Sequence, residues 1–333
     1  MNRLIHYGST DAIPFYNCSW EPESEWWQNG VQRPLLGYPI TVFGIFIELL
    51  YIPIVWIIFK TKLIRHTCYK TIVLLAATDM CAISCSCIIT GILLIQGAVF
   101  CAYPTFIYIC GGIALCTWCG ACAITLSLFL NRIVSIGFRD YAFEKPIAYT
   151  TMILSVVYMF YISFFTTPAC FNSLIMAWPS DPLSEKEPSE EASNYYRNDS
   201  QAWNNWIFVI CMLFMFTIYC GLINKLARGQ NSKASRAIFI QCCIICFFNS
   251  CTAIFYNVLA FITPSPAILV FGQLCWSINH GCPALIYVTL NDTIRREFKK
   301  LIFRSSTNKV EEGTSGNRAS VSRNSIFEYF VKL

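Results

Sequence analysis

The stretch LGYPITVFGIFIELLYIPIVWIIF, residues 36–59, decides the fold class of this chain. It is long enough to cross the apolar core of a bilayer as one helix, which takes about 20 residues. Its one acidic or basic side chain is Glu48. Because buried helix segments of soluble proteins are usually shorter, this stretch predicts a membrane span.

Six further apolar runs of similar length follow along the chain. The chain of 333 residues is 56% hydrophobic and only 13% charged, whereas soluble domains are about one quarter charged. The sequence therefore predicts an all-α membrane protein with a seven-transmembrane helix bundle. The predicted spans are residues 36–59, 71–95, 103–131, 147–170, 203–224, 237–262 and 267–290.

These spans divide the chain into four regions. Residues 1–35 form an N-terminal segment without the apolar region of a signal peptide, and residues 36–290 form the transmembrane domain. Residues 291–304 are basic and amphipathic, which predicts a short helix on the membrane surface. Residues 305–333 are rich in Ser and Thr among Lys, Arg and Gly, which predicts a disordered tail.

The distribution of Lys and Arg predicts the orientation in the membrane. Of the 24 basic residues, 20 lie in the loops after the first, third and fifth spans or in the tail. The positive-inside rule makes these regions cytoplasmic and the N-terminus extracellular. Asn17 and Asn198 begin glycosylation sequons on the predicted extracellular side, so we expect a glycoprotein.

Nineteen cysteines do not indicate a disulfide framework here. Fifteen of them lie within the apolar runs, where Cys packs as a small apolar residue between helices. Cys116, Cys119 and Cys122 have a zinc-like spacing but no nearby His, so we predict neither a metal site nor a cofactor.

Four polar residues fall near the middle of predicted spans. Glu48 lies in the first span, Asp79 in the second, and Asn279 and His280 in the seventh. Charged groups inside a bilayer are costly and usually face the interior of the bundle. We expect these four residues to form one buried polar cluster; the alternative is that each acid is neutral and hydrogen-bonded to a neighbouring helix.

Asn131 and Arg132 stand at the predicted cytoplasmic end of the third span. One interpretation is that Arg132 extends its charge to the membrane surface. The other is a resemblance to the G-protein-coupled receptors, whose third helix commonly ends in an acid-Arg-Tyr triplet that contacts the G protein. The triplet here is Asn-Arg-Ile, so the acid and the tyrosine are both replaced.

Two further stretches resemble motifs of the same receptors. LLAATD, residues 74–79, is similar to the second-helix motif that ends in an aspartate. CPALIY, residues 282–287, is similar to the seventh-helix Asn-Pro-x-x-Tyr motif and contains Pro283, although Cys replaces Asn and Tyr287 comes one position late. The sixth span lacks the usual Cys-Trp-x-Pro.

The chain most closely resembles the nematode serpentine receptors of class T. The resemblance rests on an ordered series of short motifs: YNCS (16–19), ELLYIP (48–53), HTCYK (66–70), GAVFCAYP (97–104), LFLNR (128–132) and NHGCPALIYVTLNDTIR (279–295). It implies a rhodopsin-like chemosensory receptor in the plasma membrane of a sensory neuron cilium. Its implied partners are a small-molecule ligand outside, a heterotrimeric G protein inside, contacted at Asn131 and Arg132, and the surrounding bilayer.

The resemblance also implies a ligand pocket and a disulfide in the outer half of the bundle. Candidate pocket residues are the polar or aromatic side chains Tyr108, Trp118, Trp206, Tyr256, Asn257 and Gln273. Receptors of this shape usually link the outer end of the third helix to the second outer loop. Cys101 is the natural first member of such a disulfide, and both Cys170 and Cys18 are candidates for its partner.

Other function classes fit the sequence less well. A seven-span ligand-gated channel or transporter is the main alternative, with Glu48 and Asp79 on an ion path. Insect chemosensory channels place the N-terminus inside, however, and we find none of the internal repeats common in transporters. The chain has no paired catalytic aspartates in facing spans and no His-Glu-x-x-His, so we do not expect an enzyme. The net charge of +5 reflects basic residues concentrated in the loops and tail on one side of the membrane, so we predict no nucleic-acid partner.

Overall fold

The computed structural model of this protein is built from long helices. It describes residues 1–137, 143–183, 189–226, 233–259, 261–262 and 264–311. The α-helices in this part of the chain are α1 (Asn2–Tyr7), α2 (Glu23–Gln28), α3 (Pro34–Lys60), α4 (Thr67–Ile83), α5 (Thr90–Gln96), α6 (Pro104–Gly137), α7 (Glu144–Phe165), α8 (Glu190–Tyr196), α9 (Asp199–Leu226), α10 (Lys233–Leu259), α11 (Pro266–Leu290) and α12 (Asp292–Glu311). The second predicted span corresponds to α4 and α5 together.

Among the described residues, six helical segments are long and apolar enough to cross a membrane. They correspond to the first six predicted spans. The seventh span, α11, is of comparable length but falls outside this criterion. Its polar residues Gln273, Ser277, Asn279 and His280 are all buried, so α11 turns its polar side chains towards the other helices rather than towards lipid.

The helix ends differ from the predicted ends in two informative places. The third span continues to Gly137 instead of stopping at 131, because Asn and Arg are ordinary helix residues and no Pro or Gly interrupts the turn that follows. The fourth span ends at Phe165, before the predicted 170. Pro168 follows, and a residue that precedes proline disfavours helix.

A single π-helical turn, Ser84–Ile89, joins α4 to α5. The hydroxyl of Thr90 donates to the carbonyl oxygen of Cys85 at 2.7 Å. Such turns leave a backbone carbonyl free for another partner. Here the carbonyl oxygen of Ser86 accepts from Gln273 Nε2 at 2.7 Å, so the π turn ties the second span to α11.

One end of the bundle is covered by a cap, which we define as residues 1–33, 97–103 and the described part of 166–198. Ser173 joins all three segments. Its Oγ accepts from the backbone N–H of Val31 at 3.1 Å, its carbonyl oxygen accepts from Arg33 Nε at 3.2 Å, and its backbone N–H donates to Ala98 at 3.0 Å. We call this the cap end and the opposite end the α12 end.

A disulfide between Cys18 and Cys101 holds the N-terminal segment against the start of the third span, with their Cα atoms 5.5 Å apart. Cys170 is a free, buried cysteine. Burial raises the pKa of the Cys170 thiol well above its usual range, and the nearby Asp181 adds to this shift. Of the two candidate partners of Cys101, the structure therefore selects Cys18, and Cys170 as a disulfide partner was wrong.

The helix predicted after the seventh span, α12, is longer than expected. It begins at Asp292 and extends to Glu311, so disorder from residue 305 was wrong for its last turns, where neither Gly nor Pro occurs before Gly313. Residues 312–333 of the predicted tail lie outside the described residues. Asn291 precedes the helix and caps its first turn: its Oδ1 accepts from the Ile294 N–H at 3.2 Å, and its Nδ2 donates to the Tyr69 hydroxyl at 3.1 Å.

Candidate functional site

A cavity of about 390 Å³ lies at the cap end, bounded by α9, α10, α11 and residues 175–180. A volume of this size is typical of small-molecule sites. Its wall is made of aromatic and amide side chains among mostly apolar residues. The aromatic and amide residues are Trp178, Asn198, Gln201, Asn205, Tyr256, Asn257, Gln273 and Trp276.

A smaller cavity of about 50 Å³ adjoins the first one and reaches α6. The two share Trp178, Gln201, Tyr256 and Trp276, and the smaller one is also lined by Trp118. The ring of Trp118 lies 6.1 Å from that of Tyr256, measured between centroids. Trp118 therefore connects the cavity wall to the centre of the bundle.

Four of the six predicted pocket residues line these cavities: Tyr256, Asn257 and Gln273 line the larger and Trp118 the smaller. Tyr108 does not, because its buried ring packs against Tyr16 of the cap at 5.3 Å between centroids. Trp206 does not either, since it is 42% exposed on the outer face of α9. Both placements in the pocket were wrong.

Five aromatic or amide lining residues were not predicted for the pocket: Trp178, Asn198, Gln201, Asn205 and Trp276. Trp178 comes from a short hairpin in the cap, where Asn172 and Ala177 form an isolated bridge. Its Nε1 donates to Thr90 Oγ1 at 2.9 Å, which fixes the ring. Asn205 carried a usable signal, because an amide within an apolar span usually faces the bundle interior.

Amide side chains connect three helices at the cavity wall. Trp118 Nε1 donates to Asn205 Oδ1 at 2.9 Å, and Asn205 Nδ2 donates to Asn257 Oδ1 at 3.2 Å. The chain thus runs from α6 through α9 to α10. Asn257 Nδ2 and the indole N–H of Trp276 are buried and have no hydrogen-bond partner among the described residues.

A polar core lies deeper in the bundle, at Asp79, His280 and Tyr51. The Nδ1 of His280 lies 2.7 Å from Asp79 Oδ1. The hydroxyl of Tyr51 lies 2.9 Å from Asp79 Oδ2 and 2.8 Å from the carbonyl oxygen of His280. The three side chains come from the first, second and seventh spans and are essentially inaccessible to solvent.

The other two residues of the predicted polar cluster lie apart from this core. Glu48 is half-buried and accepts from Ser84 Oγ at 3.1 Å, since its position on α3 faces the π turn. Asn279 Nδ2 donates to Asn249 Oδ1 on α10 at 3.2 Å. The single cluster of four was therefore wrong: Asp79 and His280 are joined, and each of the others has a separate partner.

The polar core touches the cavity wall through one aromatic contact. The rings of Trp118 and His280 meet edge to face with centroids 6.0 Å apart. Trp118 also contacts Tyr256 and bonds to Asn205, both of which line the cavities. Trp118 therefore lies between the cavity and His280, the residue that pairs with Asp79.

Asn131 joins three spans at the α12 end. Its Nδ2 donates to Thr67 Oγ1 at 3.2 Å, and the Thr67 hydroxyl donates to Glu144 Oε1 at 2.9 Å. Arg132 follows within α6 and is not at its end as predicted. Its side chain is partly buried, and its Nε has no hydrogen-bond partner in the described chain.

Pro283 and Tyr287 lie within α11, below the polar core. Both are buried, and the Tyr287 side chain is 1% exposed. The Tyr287 hydroxyl has no hydrogen-bond partner among the described residues. An unsatisfied buried hydroxyl is unfavourable, so Tyr287 gains from any rearrangement that supplies a partner.

The two sequons differ in geometry. Asn17 is exposed, and its Oδ1 accepts from the backbone N–H of Ser19 at 2.7 Å. Asn198 is half-buried at the start of α9. Its Nδ2 donates to the carbonyl oxygen of Thr167 at 2.6 Å, and its Oδ1 accepts from Gln201 N–H at 3.3 Å. Asn198 thus caps a helix.

Asp181 and Asp199 each directly follow a residue of the cavity wall, Ser180 and Asn198 respectively, and Asp181 is the more buried of the two. Burial raises the pKa of its carboxyl above its ordinary value, while a hydrogen bond from the Leu183 backbone N–H opposes the shift. Asp181 itself is not among the cavity-lining residues.

Comparison with known proteins agrees with this architecture. The family model described as Serpentine type 7TM GPCR chemoreceptor Srt matches residues 3–311. The chain is similar to Serpentine receptor class T-55 of Caenorhabditis elegans, with 24% identity over 297 residues that cover 86% of this chain and 80% of that protein. It is also similar in structure to squid rhodopsin.

The match to the crystal structure of squid rhodopsin has a TM-score of 0.58 at 12% sequence identity and covers 91% of this chain and 90% of that chain. At this identity the likeness shows the fold alone, and it confirms the predicted rhodopsin-like seven-helix bundle. The family match confirms the predicted resemblance to class T receptors. This multi-pass membrane protein belongs to the Serpentine type 7TM GPCR chemoreceptor Srt family.

Proposed function

We propose that this chain is a chemosensory receptor that binds a small molecule from outside the cell and activates a heterotrimeric G protein inside. We place it in the plasma membrane of a sensory neuron cilium, as the family implies. The observation that carries the proposal is the cavity of about 390 Å³ at the cap end, lined by converging amide and aromatic side chains. Sites of this kind commonly hold small ligands.

The cap end faces the outside in this proposal. The basic residues gather in the loops of the other end and in the tail, as the positive-inside rule requires. The Cys18–Cys101 disulfide lies in the cap, and disulfides persist in oxidising compartments. We propose a glycan at Asn17; at Asn198 it would first require the loss of the helix cap.

The ligand acts by shifting a population between two arrangements of the bundle. A molecule in the cavity packs against Tyr256 and alters its contact with Trp118. Trp118 in turn touches His280, whose ring bonds to Asp79. This series of contacts supports coupling between the cavity and the first, second and seventh spans.

The G protein binds at the α12 end in this proposal. Arg132 supplies a cation there with an unsatisfied Nε, and Asn131 holds α6 to Thr67. Pro283 and Tyr287 give α11 a place to bend and a hydroxyl without a partner. The basic segment 225–236 is a further predicted contact and includes side chains outside the described residues.

The orientation is tested on intact cells that express the full chain with an N-terminal epitope. We expect antibody access without permeabilisation and a glycosidase-sensitive mass shift that Asn17→Gln removes. Asn198→Gln serves as the matched variant and is expected to leave the glycan shift unchanged. A tag reached only after permeabilisation would reverse the bundle and favour the channel interpretation.

Coupling is tested with sensors of G-protein dissociation, one for each Gα class, in the same cells. We expect constitutive dissociation for at least one class at high receptor density, and we expect Arg132→Ala to reduce it at least tenfold at equal surface expression. Arg295→Ala, which removes an exposed arginine of α12, is the control. Equal signals from the parent chain, Arg132→Ala and cells without receptor would contradict the proposal.

A further inference from the structure

The described lining of the cavity contains no acidic or basic side chain. An ion that left water for this site would give up its hydration without meeting an opposite charge, which is strongly unfavourable. The wall instead offers the faces and edges of Trp178, Tyr256 and Trp276 beside amide groups. The lining therefore favours an uncharged ligand with a flat apolar body.

Two N–H groups of the cavity-lining residues lack a hydrogen-bond partner among the described residues, and both are donors. The Asn257 and Trp276 side chains are 4% and 7% exposed, and the Asn257 Nδ2 and Trp276 Nε1 atoms have no partner in the described chain. The neighbouring amide oxygens are already used: Asn205 Oδ1 accepts from Trp118, and Asn257 Oδ1 accepts from Asn205. A buried donor without a partner is costly, and a ligand that satisfies it gains affinity.

We propose that the cavity selects neutral small molecules that carry a hydrogen-bond acceptor, such as a ketone, aldehyde, ester or ether oxygen, next to a flat apolar body. Asn257 Nδ2 and Trp276 Nε1 are the donors that recognise this oxygen, each after a small rotation of its side chain. This inference rests on the proposed function, because it assigns a ligand class to the same cavity.

The two donors also separate this ligand class from its close relatives. A hydrocarbon of equal shape fills the same volume but leaves both N–H groups unpaired. A site with unpaired buried donors discriminates against such an analogue more strongly than against a change in apolar size. A carboxylate could accept from both donors, but no cation in the described lining balances its charge.

The test uses the full chain purified into phosphatidylcholine nanodiscs, with binding measured by ligand-observed NMR. The probes are acetophenone, α-methylstyrene, benzoate and benzylammonium. Acetophenone and α-methylstyrene differ only in C=O against C=CH₂. We expect saturable binding of acetophenone, at least tenfold weaker binding of α-methylstyrene, and no saturable binding of either ion. Equal affinities of the two neutral probes, preferential binding of an ion, or no saturable acetophenone binding would overturn the inference.

The variant Trp276→Phe removes one donor and keeps an aromatic ring. We expect it to weaken acetophenone binding at least threefold and to leave α-methylstyrene binding unchanged. Trp206→Phe, on the exposed face of α9, is the matched control. An unchanged acetophenone affinity in Trp276→Phe would remove this tryptophan from the donor pair.

A cavity-filling variant separates this inference from the proposed ligand site. Ala177 lines the cavity, and Ala177→Trp fills it, whereas Ile210→Trp adds the same ring to an exposed position on α9. If the parent chain binds the two neutral probes with equal affinity and Ala177→Trp blocks both, the acceptor inference fails and the ligand site stands. If Ala177→Trp leaves saturable binding intact, the ligand site fails as well.

Discussion

The Nδ1 of His280 lies 2.7 Å from Oδ1 of Asp79, in a pair that joins α11 to α4 and excludes solvent from both side chains. Tyr51 of α3 completes the core by contacting Asp79 and the carbonyl oxygen of His280. Three spans thus meet at one carboxyl group. Because polar groups inside a bundle lack water as a substitute partner, the loss of one member leaves the others unsatisfied.

The first prediction concerns this core. We expect Asp79→Ala to lower the free energy of unfolding by about 3 kcal/mol, because His280 and Tyr51 lose their shared partner. Asp79→Asn keeps the shape and one acceptor oxygen, so we expect a loss of about 1 kcal/mol. The measurement is thermal unfolding of the detergent-solubilised protein.

Glu48→Gln is the control for this core, since Glu48 is half-buried and accepts a hydrogen bond from Ser84, outside the Asp79–His280–Tyr51 core. We expect it to change stability by less than about 1 kcal/mol. Additive effects of Asp79→Ala and His280→Ala in a double-mutant cycle would show that the two side chains are not coupled.

The second prediction concerns the cap. We expect Cys18→Ser and Cys101→Ser to destabilise the protein equally, by about 2 to 5 kcal/mol, because each removes the same disulfide. Cys170→Ser leaves that disulfide intact. It should change stability by about 1 kcal/mol or less, the usual cost of a small polar change near a hydrogen-bonded loop.

Peptide mass spectrometry under non-reducing conditions checks the pairing directly. A linked peptide that contains Cys170 would contradict the structure, as would unequal effects of Cys18→Ser and Cys101→Ser. The double variant is expected to be no less stable than either single variant, since the disulfide is lost only once.

The depth of a residue along a span could be predicted from the sequence. The side of the helix on which its side chain lies could not. Asp79 and His280 are 201 residues apart, yet both were expected at mid-depth because counting residues gives depth directly. Asn205 and Trp206 are neighbours on α9. Asn205 is 1% exposed and lines the cavity, whereas Trp206 is 42% exposed.

The reason is that an evenly apolar helix has no polar face to fix its rotation. Depth and length follow from hydrophobicity, so the seven spans were predictable, as was a helix after the seventh. Rotation depends on neighbouring helices, which is why Glu48 and Trp206 were misplaced. The residues Ser84–Ile89 likewise carry no sequence signal that predicts the π turn after α4.

The cap was the least predictable part, because its contacts join segments far apart in the chain. Cys18 and Cys170 were equal candidates for Cys101, and spacing alone cannot choose between them. The choice depends on the hairpin that buries Cys170 and on Trp26, whose Nε1 donates to the carbonyl oxygen of Cys18 at 3.1 Å.

The third prediction concerns the α12 end. Thr67→Val removes the hydroxyl that accepts from Asn131 and donates to Glu144. We expect a loss of about 2 kcal/mol in the free energy of unfolding, because Asn131 is buried and loses its acceptor. Glu144→Gln keeps an acceptor oxygen for Thr67 and should cost less than about 1 kcal/mol.

Thr217→Val is the matched control, because the Thr217 hydroxyl is exposed and bonds back to Leu213 within its own helix. Its effect on the unfolding midpoint should be close to zero. If Thr67→Val and Thr217→Val had equal effects, the bond series from α6 through α4 to α7 would contribute nothing to stability.

The fourth prediction concerns a close backbone approach within the cap, between Gly30 and Gly97. A Cβ atom on Gly30 would lie 1.8 Å from the carbonyl oxygen of Gly97, and Gly97 itself has a φ of +75°, which favours glycine. Gly30→Ala must therefore push the N-terminal segment away from the loop after α5. We expect a loss of about 1 to 3 kcal/mol, the usual range for overpacking, together with reduced surface expression.

Gly221→Ala tests the same substitution where nothing lies within 4 Å of the added methyl group. Gly221 is within α9, so alanine should leave stability unchanged or raise it by up to about 1 kcal/mol. Both variants are compared by thermal unfolding and by antibody labelling of intact cells. Equal stability of Gly30→Ala and the parent chain would mean that the cap does not hold Gly30 against Gly97, and the close packing of these two segments would then have to be abandoned.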